Sequence, residues 1–249
     1  MWRRLDPGDA MDFVQSAPFD VPGQGSAQGA RESRGAAGLK LERLPFSVRL
    51  VSGERSLSKA VQIRHSAYAR HVPELAARLK EPEEADLKDG SVVLLAESHV
   101  DGSPLGTMRI QTNRHEPLML ERSIELPAWL RHRSMAEATR LGVTAEREGR
   151  LVKTVLFKAF YLYCLQAGID WMVIAGRAPI DRQYQRLLFT DVYPDLGYIP
   201  LKHAGDIPHR VMSLRVADVQ PMWAAARHPL HDFFFQTRHP DLELRQPGV

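Results

Sequence analysis

The sequence predicts an α/β fold with one mixed sheet and helices on both of its faces. Three observations carry the prediction. Segments of strand and helix periodicity follow one another as β, α, several β, then α, β, α, β. Two of the strands are joined only by the turn "HVDGS", which marks a hairpin. A strand-to-helix step, from "MAEATRLGV" into a long amphipathic segment, lies near the middle of the chain.

Taken in order, residues 1 to about 43 are rich in Gly, Ala, Ser and Gln and show neither period, so a disordered leader is expected there. Gly23, Gly25 and Gly29 have neither the spacing nor the preceding strand of a dinucleotide-binding loop. Residues 44–249 are expected to form a single domain. "PFSVRLV" alternates as a strand, and "SLSKAVQIRHSAYARH" has the stripe of a helix. "SVVLLAES" and "PLGTMRIQT" are the hairpin strands, and Met135 to Val143 is a short, apolar strand. A helix over Leu151 to Ala167 follows, with Val152, Val155, Leu156, Ala159 and Phe160 on its inner stripe. "DWMVIAG" reads as a buried strand, "PIDRQYQRLLF" as a helix and "HRVMSLRV" as a last strand. The tail from about residue 218 is expected to be a helical extension broken by Pro221, Pro229 and Pro240.

Composition narrows the class. The chain has 249 residues, 44% of them hydrophobic, and a formal net charge of +3. It has no run long and apolar enough to span a bilayer and no secretory signal, so the expected compartment is the cytoplasm. The single Cys164 excludes an internal disulfide, and no Cys/His pairing has zinc-ligand spacing, so no metal is expected. The leader carries as many acids as bases, so the surplus charge belongs to the rest of the chain. It is concentrated in "REGRLVKTVLFK", where Arg147, Arg150, Lys153 and Lys158 form a candidate docking patch for an acidic partner. The basic residues are not interleaved with aromatics, so nucleic-acid binding is not expected.

Several charges sit where the pattern demands apolar residues. The stripe of the first helix runs Leu57, Ala60, Val61, Arg64, Tyr68, which puts Arg64 at a core position that requires a carboxylate. The loop "PEEADLKDGS" supplies Glu84, Asp86 and Asp89 just before a strand, and Arg109 interrupts the apolar strand "GTMRI". In "MAEATRLGV" strict alternation places Glu137 and Arg140 on opposite faces. A β-bulge would bring them to one side; otherwise each needs its own partner among Arg64, Arg109 and the loop acids.

The runs "IRHSAYARH", "EADLKDGSVVLLAES", "GTMRI", "LMLER" and "EATRLGV", in this order, resemble the acyl-homoserine-lactone synthases and, more closely, the N-acyl amino acid synthases of the FeeM type. The resemblance extends through "VLFKAFYLYCLQAGID" and "YQRLLFTDV" to "RHPDL". It implies a GNAT-like acyltransferase fold whose sheet splays after its fourth strand, and it makes 135–143 the strand at the splay. It further implies transfer of a fatty acyl group from the phosphopantetheine thioester of acyl carrier protein, in preference to acyl-CoA, to the α-amino group of an amino acid. No tightly bound cofactor is implied. Glu137 is then the candidate base, and Tyr184 the candidate proton donor to the departing thiolate. Arg64, Tyr68, Arg109 and Arg140 are substrate-binding candidates, with Asp86 and Asp89 orienting Arg64. Two alternatives stay open: a homoserine-lactone synthase consuming S-adenosylmethionine, and a non-catalytic module that binds acyl chains or a carrier protein.

Overall fold

The computed structural model describes residues 39–244, so most of the expected leader lies outside the described residues. The chain enters as β1 (Lys40–Leu41) and β2 (Phe46–Leu50) and continues into α1 (Glu54–Ala69) and the one-turn α2 (Pro73–Ala76). The hairpin strands are β3 (Ser91–Ser98) and β4 (Pro104–Thr112). Then come β5 (Met135–Val143), α3 (Glu148–Gln166), β6 (Trp171–Gly176) and α4 (Asp181–Arg186). The strands β7 (Thr190–Asp191), β8 (Ile199–Leu201) and β9 (Ile207–Arg215) follow. α5 (Val219–Ala225), β10 (Thr237–Arg238) and β11 (Leu242–Glu243) complete the order.

The main sheet runs β11-β2-β3-β4-β5-β6-β9-β7, with β8 also on β9. β5–β6 and β11–β2 are parallel and the other pairs antiparallel, so the sheet is mixed, as expected. α1 covers one face, packing Leu57, Ala60 and Val61 on Val93 and Leu95. α3 covers the other through Val152, Val155, Leu156 and Phe160, which lie in the main core with Phe46, Met108 and Ile174. Each such fully buried side chain contributes roughly 1.5–3 kcal/mol.

The pairing of β5 with β6 positions the site. It runs from Met135–Trp171 to Ala138–Ile174 and stops, whereas β5 stays paired with β4 as far as Val143. With the two-residue β1 set aside, β5 is the fourth strand in chain order, so the sheet splays where the resemblance implied.

The tail departs from the expected broken helix. Pro221 occupies the first turn of α5, where its missing N–H breaks no helical bond. Residues 232–236 form a π-helical turn, and the chain then returns to strand. β10 pairs with β1, and β11 covers the free edge of β2, satisfying backbone groups an open edge would leave exposed. β1 places a short strand at residues 40–41, within the span expected to be a leader.

Candidate active site

The opening conflict in "MAEATRLGV" is resolved by a bulge. Thr107 faces Gly142 and Arg109 faces Thr139, so one extra residue of β5 is accommodated over this step. Arg140 takes the left-handed conformation there, φ 55°. Such a backbone costs about 1 kcal/mol or more for a non-glycine residue, so the surroundings must hold it. They do so with carboxylates. Arg140 donates from Nε to Glu83 Oε2 and from Nη2 to Glu83 Oε1, both at 2.6 Å, and from Nη2 to the His203 carbonyl at 2.9 Å.

Two more guanidiniums converge on the same acids. Arg64 binds Asp86 through both terminal nitrogens at 2.8 Å, and Arg109 Nη1 lies 3.0 Å from Glu83 Oε2 and 3.3 Å from Asp86 Oδ1. Arg109 Nε also donates to Thr139 Oγ1 at 3.1 Å. α1 comes close enough to build this cluster because residue 142 is glycine: a Cβ there would lie 3.1 Å from the Ala67 Cβ and 3.2 Å from the Arg64 Cα. Burial opposes ionisation of Glu83 and Asp86, but the arginines outweigh it and both pKa values are lowered. Three guanidinium charges against two carboxylates leave an excess of one positive charge. Arg64 Nε and Arg109 Nη2 remain without a partner among the described residues.

Asp86 therefore orients Arg64 as expected, but Asp89 does not: it is exposed and has no hydrogen-bond or ion partner among the described residues. Glu83, not singled out in the sequence, takes its place. Its position follows from a short helical turn over 84–86, where the Glu83 N–H donates to Asp86 Oδ2 at 2.8 Å and the Asp86 N–H to the Glu83 carbonyl, and both side chains are turned toward the arginines. Arg64 and Arg140 thus each engage a protein carboxylate with two nitrogens, Arg64 on Asp86 and Arg140 on Glu83, and of the two only Arg140 lines the cleft.

Glu137 lies on the same side of β5, fully buried. Oε2 accepts from the Leu120 backbone N–H at 3.2 Å, Oε1 has no hydrogen bond, and His203 Nε2 lies 3.6 Å from it. Burial pushes the Glu137 carboxyl up to about 7. Burial, aided by Arg140, pushes His203 down to about 3, so the contact is not a charged pair near neutral pH.

A cleft of about 450 Å³ opens where β5 and β6 part. Tyr68 lines it from α1, Ala138 to Val143 from β5, Arg150 and Lys153 from α3, Gly176 and Arg177 from β6, Tyr184 from α4 and His209 from β9. Glu137 is not among the lining residues, so the expected base stands behind the cleft wall. Tyr184 is in the cleft, packed on Phe157 at 5.6 Å, and burial raises its pKa, keeping the phenol protonated. At the other end the β5–α3 turn closes tightly. A Cβ on Gly149 would fall 2.2 Å from the Thr144 carbonyl oxygen, so only glycine fits.

The expected basic patch is divided by the structure. Arg147 is exposed and Arg150 half-buried, but Lys153 and Lys158 are buried. Lys153 faces the cleft, where Nζ donates to Gln183 Oε1 at 2.6 Å and burial lowers its pKa to about 8. Lys158 points toward the C-terminal segment and donates to the carbonyls of Phe233 and Thr237 at 2.6 Å, with His239 Nδ1 at 2.9 Å. A linear run of cations wraps around a helix, and here one turn meets the cleft while the next meets the tail. Cys164 is buried, and burial raises its pKa, as inert packing requires.

An open mixed sheet, parted at its centre over a cleft with a tight strand-to-helix turn at one end, defines a GNAT-like acyltransferase. The family model described as "N-acyl amino acid synthase FeeM" matches residues 59–201, more than half of the chain, and the chain belongs to that family. Among solved structures, FeeM, an N-acyl amino acid synthase from uncultured soil microbes, is similar at 19% identity and TM-score 0.58, covering 73% of this chain and 96% of that one. BjaI, a CoA-dependent acyl-homoserine lactone synthase solved with SAM and isopentyl-CoA, is similar at 16% identity and TM-score 0.51, covering 78% and 93%. At these identities the two structures speak to the fold. No curated protein sequence matches the chain significantly. The chain is thus an acyltransferase. Among the described residues no helix is long and apolar enough to cross a membrane.

Proposed function

We propose that this protein transfers a long-chain fatty acyl group from the phosphopantetheine thioester of acyl carrier protein to the α-amino group of an amino acid. The observation that carries the reading is the unpaired edge of β5. Beyond Ala138 its β6 side has no partner strand among the described residues, and that edge faces the cleft. A pantetheine arm, which carries two amides, can add there as a strand would, with the thioester set among Tyr68, Tyr184 and His209.

The donor end supports a carrier protein over CoA. The turn closed by Gly149 leads into α3, whose N-terminal N–H groups suit one phosphate. Arg147 and Arg150 stand beside it as docking cations for an acidic partner, with Lys153 deeper along the arm's path. In the reaction the amine attacks the thioester carbonyl, the tetrahedral intermediate expels the thiolate, and the nitrogen loses a proton to leave an amide and a thiol. With its pKa raised, Tyr184 is too weak an acid to give up its proton fully; it supports the departing sulfur as a hydrogen-bond donor.

The test is incubation with acylated carrier protein, an amino acid mixture and S-adenosylmethionine, followed by mass spectrometry. An N-acyl amino acid is the expected product. Acyl-homoserine lactone with release of methylthioadenosine overturns the acceptor, and equal rates with acyl-CoA overturn the carrier preference.

A further inference from the structure

Outside the Glu83–Asp86 cluster the cleft holds a further cation, just beyond the end of β6. β6 and β9 pair antiparallel up to Gly176–Arg210. Arg177 follows β6 directly, His209 precedes Arg210 on β9, and both line the cleft. Arg177 is half-buried, and its side chain has no hydrogen-bond or ion partner among the described residues. His209 Nδ1 lies 2.7 Å from the Ile207 carbonyl. That oxygen can only accept, so Nδ1 carries the hydrogen and Nε2 keeps its lone pair.

We infer that Arg177 and His209 form the acceptor subsite, with Arg177 taking the carboxylate of an α-amino acid and His209 Nε2 taking a proton from its ammonium group. The inference rests on the proposed function above. The two charged groups of an α-amino acid are held close together, the amine on the carbon that bears the carboxylate, so a cation and a neutral base lining one cleft from the neighbouring strands β6 and β9 match both groups at once. The groups around His209 favour its basic form. Burial and the cations Arg177 and Arg140 lower its pKa against the opposing effect of the Ile207 carbonyl, His203 lies within its electrostatic reach, His71 lines the same cleft from the α1–α2 turn, and Ile199 of β8 pairs beside it. Arg210, the next residue, is drawn instead toward Asp191 at 3.4 Å and Asp181 at 3.7 Å. In the balanced step His209 gains the proton that the ammonium loses. The free amine then adds to the thioester carbon, and the second proton leaves the nitrogen as the sulfur departs as a thiol.

The test compares an amino acid with its carboxamide, which keeps the amine and removes the carboxylate charge, as acceptors for the full-length protein and carrier-bound acyl donor. For Arg177→Gln, the expected result is a 10- to 100-fold rise in KM for the amino acid on the order of one lost charge-assisted bond, with kcat nearly kept and the preference for acid over amide abolished. Arg177→Lys restores part of that preference. His209→Asn lowers kcat about 100-fold or more with KM little changed, and the fall in wild-type rate on acidification disappears. Unfolding midpoints and thioester hydrolysis in the absence of acceptor report that the variants keep fold and donor site. Wild-type transfer to amino acids, with an unchanged KM and acid-over-amide ratio in Arg177→Gln, overturns the subsite and leaves the proposed function standing. A wild-type protein that acylates no amino acid overturns both.

Discussion

Glu137→Gln isolates the energetic cost of placing a carboxyl in the core beneath the cleft. The amide keeps an acceptor for the Leu120 N–H and removes the titration. Burial raises the Glu137 pKa from 4.5 in the unfolded chain to about 7 in the fold. Below the unfolded value both states hold the proton, and the carboxyl costs nothing by ionising. As pH rises through that value the unfolded chain releases its proton while the folded protein retains it, so stability falls until the folded group also ionises. At 1.36 kcal/mol per unit, this interval corresponds to about 3 kcal/mol. The stability of wild type relative to Glu137→Gln should therefore drop by about 3 kcal/mol between about pH 4.5 and pH 7, and stay level above that. Urea unfolding of both proteins across this range, followed by circular dichroism, measures the difference. A level difference curve, or one that rises with pH, refutes the reasoning, because it would mean that Glu137 is ionised in the fold.

Other perturbations test the supporting structure. Glu83→Gln removes the negative charge shared by three guanidiniums and turns one acceptor oxygen into a donor facing them, and should destabilise the protein by about 3–5 kcal/mol in urea unfolding, while Asp89→Asn changes stability by less than about 0.5 kcal/mol. Lys158→Met leaves the Phe233 and Thr237 carbonyls without their donor, so amide exchange over 232–238 should accelerate while that of β3 and β4 is kept. Arg147→Glu should raise KM for the acylated carrier protein and weaken its salt dependence, with KM for a small pantetheine thioester unchanged.

The polar cluster was largely legible in the sequence because each member violates a period. Arg64 stands in a helical stripe, Arg109 and Arg140 in strands, and a charge in such a place implies a buried partner. The bulge was one of two ways for Glu137 and Arg140 to share a strand, and the structure, with its register shift opposite Thr107 and Arg109, decides for it. The choice of Glu83 over Asp89 was not legible. Several acids stand in one loop, and the helical turn in which the Glu83 N–H donates to the Asp86 side chain decides which of them turn inward. Lys158 misled for a similar reason, since its acceptors lie about eighty residues away on a tail whose return to the sheet has no strong local period. Arg177 and His209 carry no local signal at all: one follows β6, the other lies within β9, and only the pairing of those two strands brings both to the cleft.

The most direct test of the account is a crystal structure of the protein with an N-acyl amino acid product and pantetheine bound together. The account predicts the pantetheine arm along β5 beyond Ala138, in the gap where β6 has turned away, and the product carboxylate at Arg177. An arm outside that gap, or a carboxylate held by Arg64 or Arg140 in place of Glu83 and Asp86, would contradict it.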